Sequence, residues 1–314
     1  MKLINCNLCG SSDYELITRN RDRLHRVDNQ IFNIVKCRGC GLIFLNPQPT
    51  EKEISRYYPD EYGPHQKIKE SFKYGFFSKS LSRIYKFFRR GGKRQINGEF
   101  SMPGEAAKTY LDFGCGSGHS LSDIRLQHQN WDIYGLDNNE TACTRARELG
   151  VKIFCGDILK MELPDNFFDI VNMSHIIEHL SDPLAVMLKI NKLLKKGGTV
   201  VISTPNFDSL AAKIFGKFWY ALDTPRHLFI FSPLTLSALL DKTGFKVNSI
   251  KYKLDPQVAI KSWYFLFNKK DMRLNPIAWR LLKLASVIFS LFYRRASIMT
   301  VCAEKKIRHL IIVI

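Results

Sequence analysis

A strand that exits through three glycines, Thr109-Tyr-Leu-Asp-Phe-Gly-Cys-Gly-Ser-Gly118, constrains this 314-residue chain more than any other stretch. Tyr110 to Phe113 reads as a short strand. Glycines at 114, 116 and 118 then open a loop ahead of a helix expected over 118–129. Without a Cβ, the backbone there can turn sharply and approach a ligand closely. The helix N-terminus adds unpaired N–H groups and the positive end of a dipole. Asp112 stands at the strand's carboxyl edge, where it can meet a cationic group. The combination suits a nucleotide-like ligand that has no phosphates but carries an amino acid end.

Two further acids fall at matching places. A strand over 132–136 runs into Asp137, about 20 residues past the last glycine, where an acid takes ribose hydroxyls in a doubly wound sheet. A strand over 151–155 runs into Gly156-Asp157, which puts an acid in reach of an adenine amino group. A dinucleotide fits less well. The loop is G-x-G-x-G, not G-x-G-x-x-G, and a pyrophosphate would meet Asp112. Strands are expected at 168–173, 198–203, 246–252 and 297–303, with helices at 139–149, 182–196 and 233–243. Such β–α alternation predicts a mostly parallel sheet covered on both faces.

Cys6-Asn-Leu-Cys9-Gly10 and Cys37-Arg-Gly-Cys40-Gly41 are matching C-x-x-C-G knuckles. Each turn can hold two thiolates on one metal, so Cys6, Cys9, Cys37 and Cys40 supply a closed tetrahedron suited to structural zinc. Four sulfurs leave no open position for catalysis. The 27 residues between the knuckles suit a ribbon with a β-hairpin, and 31–35 looks like its second strand. Cys115, Cys143, Cys155 and Cys302 lack such spacing and read as small buried residues. The sequence Met1-Lys-Leu-Ile runs into Asn5-Cys6 without an apolar signal segment, which predicts a reducing, cytoplasmic setting.

Two constellations carry proton chemistry. Strand 168–173 exits into Ser174-His175-Ile-Ile-Glu178-His179, three ionisable groups within about one helical turn. Histidine titrates near neutral pH, so His175 or His179 can accept a proton from a hydroxyl. Helix capping is the competing role for this segment. The second constellation is Asp223-Thr-Pro-Arg226-His227-Leu-Phe-Ile-Phe-Ser232-Pro233, ahead of a helix capped by Ser232. Loops that carry Asp, Arg and His together seldom serve packing alone.

Leu111-Asp-Phe-Gly-Cys-Gly-Ser-Gly118, Gly135-Leu-Asp137, Gly156-Asp157 and Ile202-Ser-Thr-Pro-Asn206 resemble the motifs of class I S-adenosylmethionine (SAM)-dependent methyltransferases. The resemblance implies a Rossmann-like, doubly wound α/β sheet of seven strands with an antiparallel last strand. It implies Asp112, Gly114, Gly116 and Gly118 near the methionine end of SAM, Asp137 on the ribose and Asp157 at the adenine. Cys115, Asn138, Ile158 and Ser174 complete the implied cofactor contacts. With the knuckles ahead of it, the chain resembles sugar C- and O-methyltransferases and relatives encoded with surface-polysaccharide genes, which carry a small N-terminal zinc ribbon. In that group aromatic residues after the ribbon help cover the substrate, which makes Tyr57, Tyr58 and Tyr62 candidate substrate contacts. Core packing is the competing role for each. The segment His227-Leu-Phe-Ile-Phe231-Ser232 is similar to the loop that carries the catalytic base there, so His227 is the first candidate base and His179 the second. Arg226 stands where that group has an acid, which suggests that Asp223 and Arg226 meet a substrate bearing a carboxylate or phosphate. The run from Ser174 to His179 also resembles ubiquinone-type O-methyltransferases, where acidic and histidine residues are linked to a divalent metal; here His175 replaces the first acid.

The net charge of +18 is uneven. Residues 66–94 hold ten basic residues against one acidic, and residues 241–314 hold 15 against four, while residues 95–240 are slightly acidic. The basic stretches, an aromatic-rich helix over 72–90 and an apolar helix over 277–293, fit a cap over the active site, a membrane-surface contact or nucleic-acid binding. The nearly neutral ribbon speaks against nucleic acid. The expected division is a zinc ribbon at 1–48, a linker and basic helical cap at 49–104, a SAM-binding core at 105–255, and a C-terminal helix with the last core strand at 256–314. The expected acceptor is a sugar, nucleotide-sugar or lipid-linked saccharide, with an isoprenoid or quinone-like lipid as the alternative.

Overall fold

The computed structural model describes residues 1–58, 106–253, 255–267 and 296–307. Tyr62 and the two basic helices expected at 72–90 and 277–293 lie outside the described residues. The chain divides into two compact units, one formed by Met1–Pro59 with Asp157–Ile314 and the other by Asp60–Gly156.

The ribbon opens the first unit. Strands β1 (Tyr14–Asn20) and β2 (Phe32–Cys37) form the antiparallel hairpin expected between the knuckles, and β3 (Ile43–Leu45) pairs with β2. A one-turn helix, α1 (Glu51–Ile54), follows, with Thr50 and Glu53 closing a capping box at its start.

The second unit carries the glycine loop. Parallel strands β4 (Thr109–Phe113), β5 (Asp132–Asp137) and β6 (Lys152–Cys155) alternate with helices α2 (His119–Gln127) and α3 (Glu140–Arg147). Their hydrophobic positions, Tyr110, Leu111, Leu121, Ile124 and Leu136 among them, are buried. Cys143 on α3 and Cys155 at the end of β6 form a disulfide. Both were expected only as small buried residues; the link joins neighbouring elements 12 residues apart, a spacing with no sequence signature.

The rest of the first unit supplies four strands in the order β10-β11-β8-β7. These are β7 (Phe168–Ser174), β8 (Leu194–Pro205), β10 (Phe245–Lys253) and β11 (Ile298–Lys305), with β9 (Phe229–Ile230) elsewhere. The sheet of seven strands is mostly parallel, and β11 runs antiparallel to both its neighbours, as the resemblance implied. Helices α4 (Pro183–Leu193), α5 (Leu210–Phe215), α6 (Pro233–Lys242) and α7 (Pro256–Leu266) complete the described helices of this unit. Ser232 and Thr235 cap α6 reciprocally, with Pro233 at its first position.

The ribbon and the rest of the first unit share elements. Strand β9, one residue past His227, adds to the ribbon as its fourth strand, with Ile43 opposite Ile230 and Phe44 opposite Phe229. The first knuckle caps α4: Asn7 Nδ2 donates to Asp182 Oδ1 at 2.9 Å, and Leu184 N–H donates back to Asn7 Oδ1 at 3.0 Å. Among the described residues, no helix is long and apolar enough to cross a membrane.

Candidate active site

In the second unit, the glycine loop folds back on strand β5. Gly114 and Cys115 donate to Leu136 O at 2.7 and 3.1 Å, and Gly116 N–H donates to Asp137 Oδ2 at 2.8 Å. Asn139 N–H donates to the other carboxylate oxygen at 2.9 Å. Asp137 is therefore held at the strand end by two backbone donors, with a lone pair left on each oxygen. Asp112 is buried and accepts from Ser120 Oγ on the first turn of α2. Gly118 sits at φ +85°, and a Cβ there would lie 2.5 Å from Leu149 Cδ1, so only glycine lets the loop enter α2 on this line. Burial pushes the Cys115 thiol up, so it stays a neutral wall of the loop. Asn138 is exposed beside Asp137. Acids at two strand ends and a glycine cradle fit SAM: Asp137 can take ribose hydroxyls, and Asp112 lies at the strand edge that would face the cationic end.

The other cofactor candidates belong to the first unit. Asp157 accepts from Leu159 N–H at 2.9 Å and pairs with Lys160 at 3.5 Å. Ile158 is buried, and Ser174 ends β7 opposite Ser203.

The ionisable cluster lies wholly within the first unit. His175 holds φ +57°, and its N–H donates to Ser203 O at 2.8 Å. This turn sends its exposed imidazole to Glu178, with Nδ1 3.1 Å from Oε1. Glu178 is 1% exposed, and its second oxygen accepts from Thr204 Oγ1 at 2.9 Å. Burial alone would raise the Glu178 carboxyl, but the bond to His175 and the neighbouring histidines bring it down to about 2. Although the surrounding protein partly desolvates this ring, the bond and charge of Glu178 raise the pKa of His175.

His179 and His227 stand edge to face, 4.6 Å between ring centres. His227 Nδ1 lies 2.8 Å from Ala221 O, and His179 Nδ1 lies 3.0 Å from Arg226 O. A carbonyl only accepts, so each Nδ1 carries the proton and each Nε2 keeps its lone pair. Burial and the nearby His227 depress His179 to about 4, which keeps it a neutral acceptor near pH 7. Tyr58 Oη reaches His179 Nδ1 at 3.1 Å. Ligand atoms of Glu178, His179 and His227 lie within 4.8 Å of one another, a spacing that a divalent cation can also bridge.

Three expected substrate contacts have other places. Arg226 is fully buried. Its Nε donates to both oxygens of Asp223 at 3.0 Å, one terminal nitrogen reaches Asp22 at 2.8 Å and Asp223 at 2.6 Å, and the other reaches Tyr57 O at 3.0 Å. A fully buried guanidinium with four of its five N–H groups committed to the protein is not presented to a substrate, and this corrects the expectation for Arg226 and for its partner Asp223. Tyr57 is buried against Phe32 and donates to Asp28 Oδ2 at 2.7 Å, so it is a packing residue. Tyr58 is the aromatic that reaches the histidines. Sequence reasoning missed Asp22 and the role of Thr204. Asp22 sits in an Arg-Asp-Arg run that reads as a solvated surface.

The knuckles match each other. Gly10 N–H donates to Cys6 O at 2.7 Å and Gly41 N–H to Cys37 O at 2.9 Å. Cys6 and Cys40 sulfurs are 3.4 Å apart, as are those of Cys9 and Cys37, and all four lie within 4.8 Å of one another. Sulfurs at about 2.3 Å from one ion fall within this spacing, so the donor set fits zinc.

A family profile described as a methyltransferase domain matches residues 84–250, more than half of the chain. The malonyl-[acyl-carrier protein] O-methyltransferase of Serratia marcescens is 30% identical over 144 residues, 46% of this chain and 54% of that protein. The ubiquinone biosynthesis O-methyltransferase of Cereibacter sphaeroides is 30% identical over 181 residues, 54% of this chain and 65% of that protein. The chain thus spans roughly half to two thirds of the length of these relatives. Among solved structures, the [4+2]-cyclase SpnF is similar with a TM-score of 0.50 at 18% identity, covering 83% of this chain and 97% of that one. A cyclase on this fold shows that architecture alone does not fix the chemistry.

Proposed function

The chain belongs to the methyltransferase-domain family, and on that premise we propose that it transfers a methyl group from SAM to a small-molecule acceptor that must lose a proton. The observation that carries this reading is the pair of imidazoles, His179 and His227, each anchored through Nδ1 to a backbone carbonyl. Their Nε2 atoms, which keep the lone pair, suit a general base. An amine would need no such group; a hydroxyl or an activated carbon would.

Bound SAM supplies an electrophilic methyl on a good leaving group. The protein's share is positioning and proton removal. Asp112, the glycine loop and Asp137 would hold the donor. His227 takes the acceptor's proton, with His179 next in line. Glu178, held ionised, stabilises positive charge that develops on either imidazole. Cys6, Cys9, Cys37 and Cys40 would hold a structural zinc.

For the acceptor, a sugar, nucleotide-sugar or lipid-linked saccharide of surface-polysaccharide assembly is the reading that the ribbon and the His227 loop favour. A quinone-like lipid is the second, favoured by the similarity to a ubiquinone biosynthesis O-methyltransferase. Radiolabelled SAM offered to a cell extract with the purified protein separates them. Label in aqueous small molecules supports a nucleotide-sugar. Label in the organic phase supports a lipid-borne acceptor, and hydrolysis then tells saccharide from quinone. Label in neither fraction would remove the small-molecule reading.

A further inference from the structure

Asp22 lies in the loop that joins the two strands of the ribbon hairpin, and it is 1% exposed. Its Oδ1 accepts N–H bonds from Leu24 and His25 at 3.1 Å each, and Oδ2 accepts from Val27 at 3.2 Å. The turn thus aims the carboxylate inward, onto Arg226 at 2.8 Å. Both side chains are fully buried, so the pair is a built contact and not a chance encounter of surface charges.

Arg226 touches both imidazoles' surroundings. Its backbone carbonyl takes the Nδ1 proton of His179, and the next residue is His227. Its guanidinium holds the carbonyl of Tyr57, whose neighbour Tyr58 reaches His179. The same ribbon loop grips this segment again, with Asn20 Nδ2 donating to Thr224 Oγ1 at 3.4 Å and Arg23 lying 4.5 Å over the ring of Phe218. On the far side of His227, Leu45 N–H donates to Leu228 O at 3.0 Å, where β9 joins the ribbon. Residues 218–230 are therefore clamped by the ribbon before and after the histidine.

We propose that Asp22 is a positioning residue of the acceptor site: by anchoring Arg226 from the ribbon, it fixes the tautomer and orientation of His179 and the placement of His227. The ribbon is then a working part of the site and more than a stabilising appendage. This rests on the reading of the two histidines as proton acceptors, and the test keeps the two apart.

The experiment uses the full chain, zinc-replete and labelled with 15N-histidine. The tautomers of His179 and His227 are read from imidazole 15N shifts, assigned with His179→Gln and His227→Gln. SAM affinity and label transfer into cell extract are measured on the same samples. In the wild type, both rings carry the proton on Nδ1. In Asp22→Asn, His179 is expected to average between tautomers, SAM affinity to stay within about twofold, and transfer to fall by roughly 10- to 100-fold, the scale of a small misplacement. A folded Asp22→Asn with wild-type tautomers at both histidines overturns the proposal. Should that variant not fold, Arg226→Lys reads the same coupling from the other partner. Lysine keeps the charge but cannot hold Asp22, Asp223 and Tyr57 O together, so averaging at His179 is again expected and wild-type tautomers again overturn the proposal. A wild type that binds no SAM would sink the methyltransferase reading and leave the tautomer result standing.

Discussion

The glycine loop and the histidine cluster are built in opposite ways. Within the loop, each contact spans a strand, a turn and a helix: Gly116 to Asp137 is 21 residues, and Ser120 to Asp112 is eight. Around the histidines, Arg226 meets Asp22 across 204 residues and Tyr57 across 169, while His179 meets Arg226 across 47. The glycine loop is thus made from local backbone, whereas the histidine cluster is assembled from segments far apart in the chain.

That contrast can be broken at several points. The largest effect is expected for His227→Ala, which should lower methyl transfer by about 10²- to 10⁴-fold and leave SAM affinity intact. Near-normal turnover would move the base to His179. Next comes pH. The folded pKa of His179, about 4, lies below an unfolded value near 6.5, so the folded state binds fewer protons between them. Stability should therefore fall as pH drops from about 6.5 to about 4, by up to about 3 kcal/mol from this group. Glu178, depressed to about 2, adds a further loss below about pH 4.5. His175 works the other way, since its raised pKa favours folding as it gains a proton. In thermal melts across this range, His179→Gln should flatten the upper part of the decline; an unchanged slope would remove His179 as its source.

Asp112→Ala tests the local half of the comparison. Losing a buried carboxylate should weaken SAM binding by roughly 10-fold or more, with His179 and His227 unaffected. Unchanged SAM affinity would withdraw the donor assignment. The smallest effect is expected for Tyr58→Phe. Removing one neutral hydroxyl from His179 should cost about 1 kcal/mol, a less than 10-fold loss of transfer at constant SAM affinity. A loss as deep as that of His227→Ala would make Tyr58 a direct participant.

What the sequence revealed follows the same division. The glycine loop, its acids and the knuckles were legible because each is a spacing rule enforced by local backbone. His179 and His227 were visible through motif position. Arg226 was misread because its partner, Asp22, lies in another part of the chain and looks like one member of a solvated Arg-Asp-Arg run. A long-range ion pair leaves no periodicity. The Cys143–Cys155 link was hidden for a different reason, since a separation of 12 residues carries no recognisable cysteine spacing. Likewise, Phe229–Ile230 is too short to announce itself as a strand, and only the presence of β3 beside it makes one.

The pairing of β3 with β9 also sets a schedule for the growing chain. When Leu45 leaves the ribosome, its strand partner has not been made, and Ile230 follows roughly 10 to 40 s later at ordinary synthesis rates. Through that interval the ribbon has an open edge and a buried-side carboxylate without its arginine. The ribbon is therefore completed only once β9 has been made, and chains stalled before residue 230 should be cut by protease within residues 20–45, where the finished protein resists.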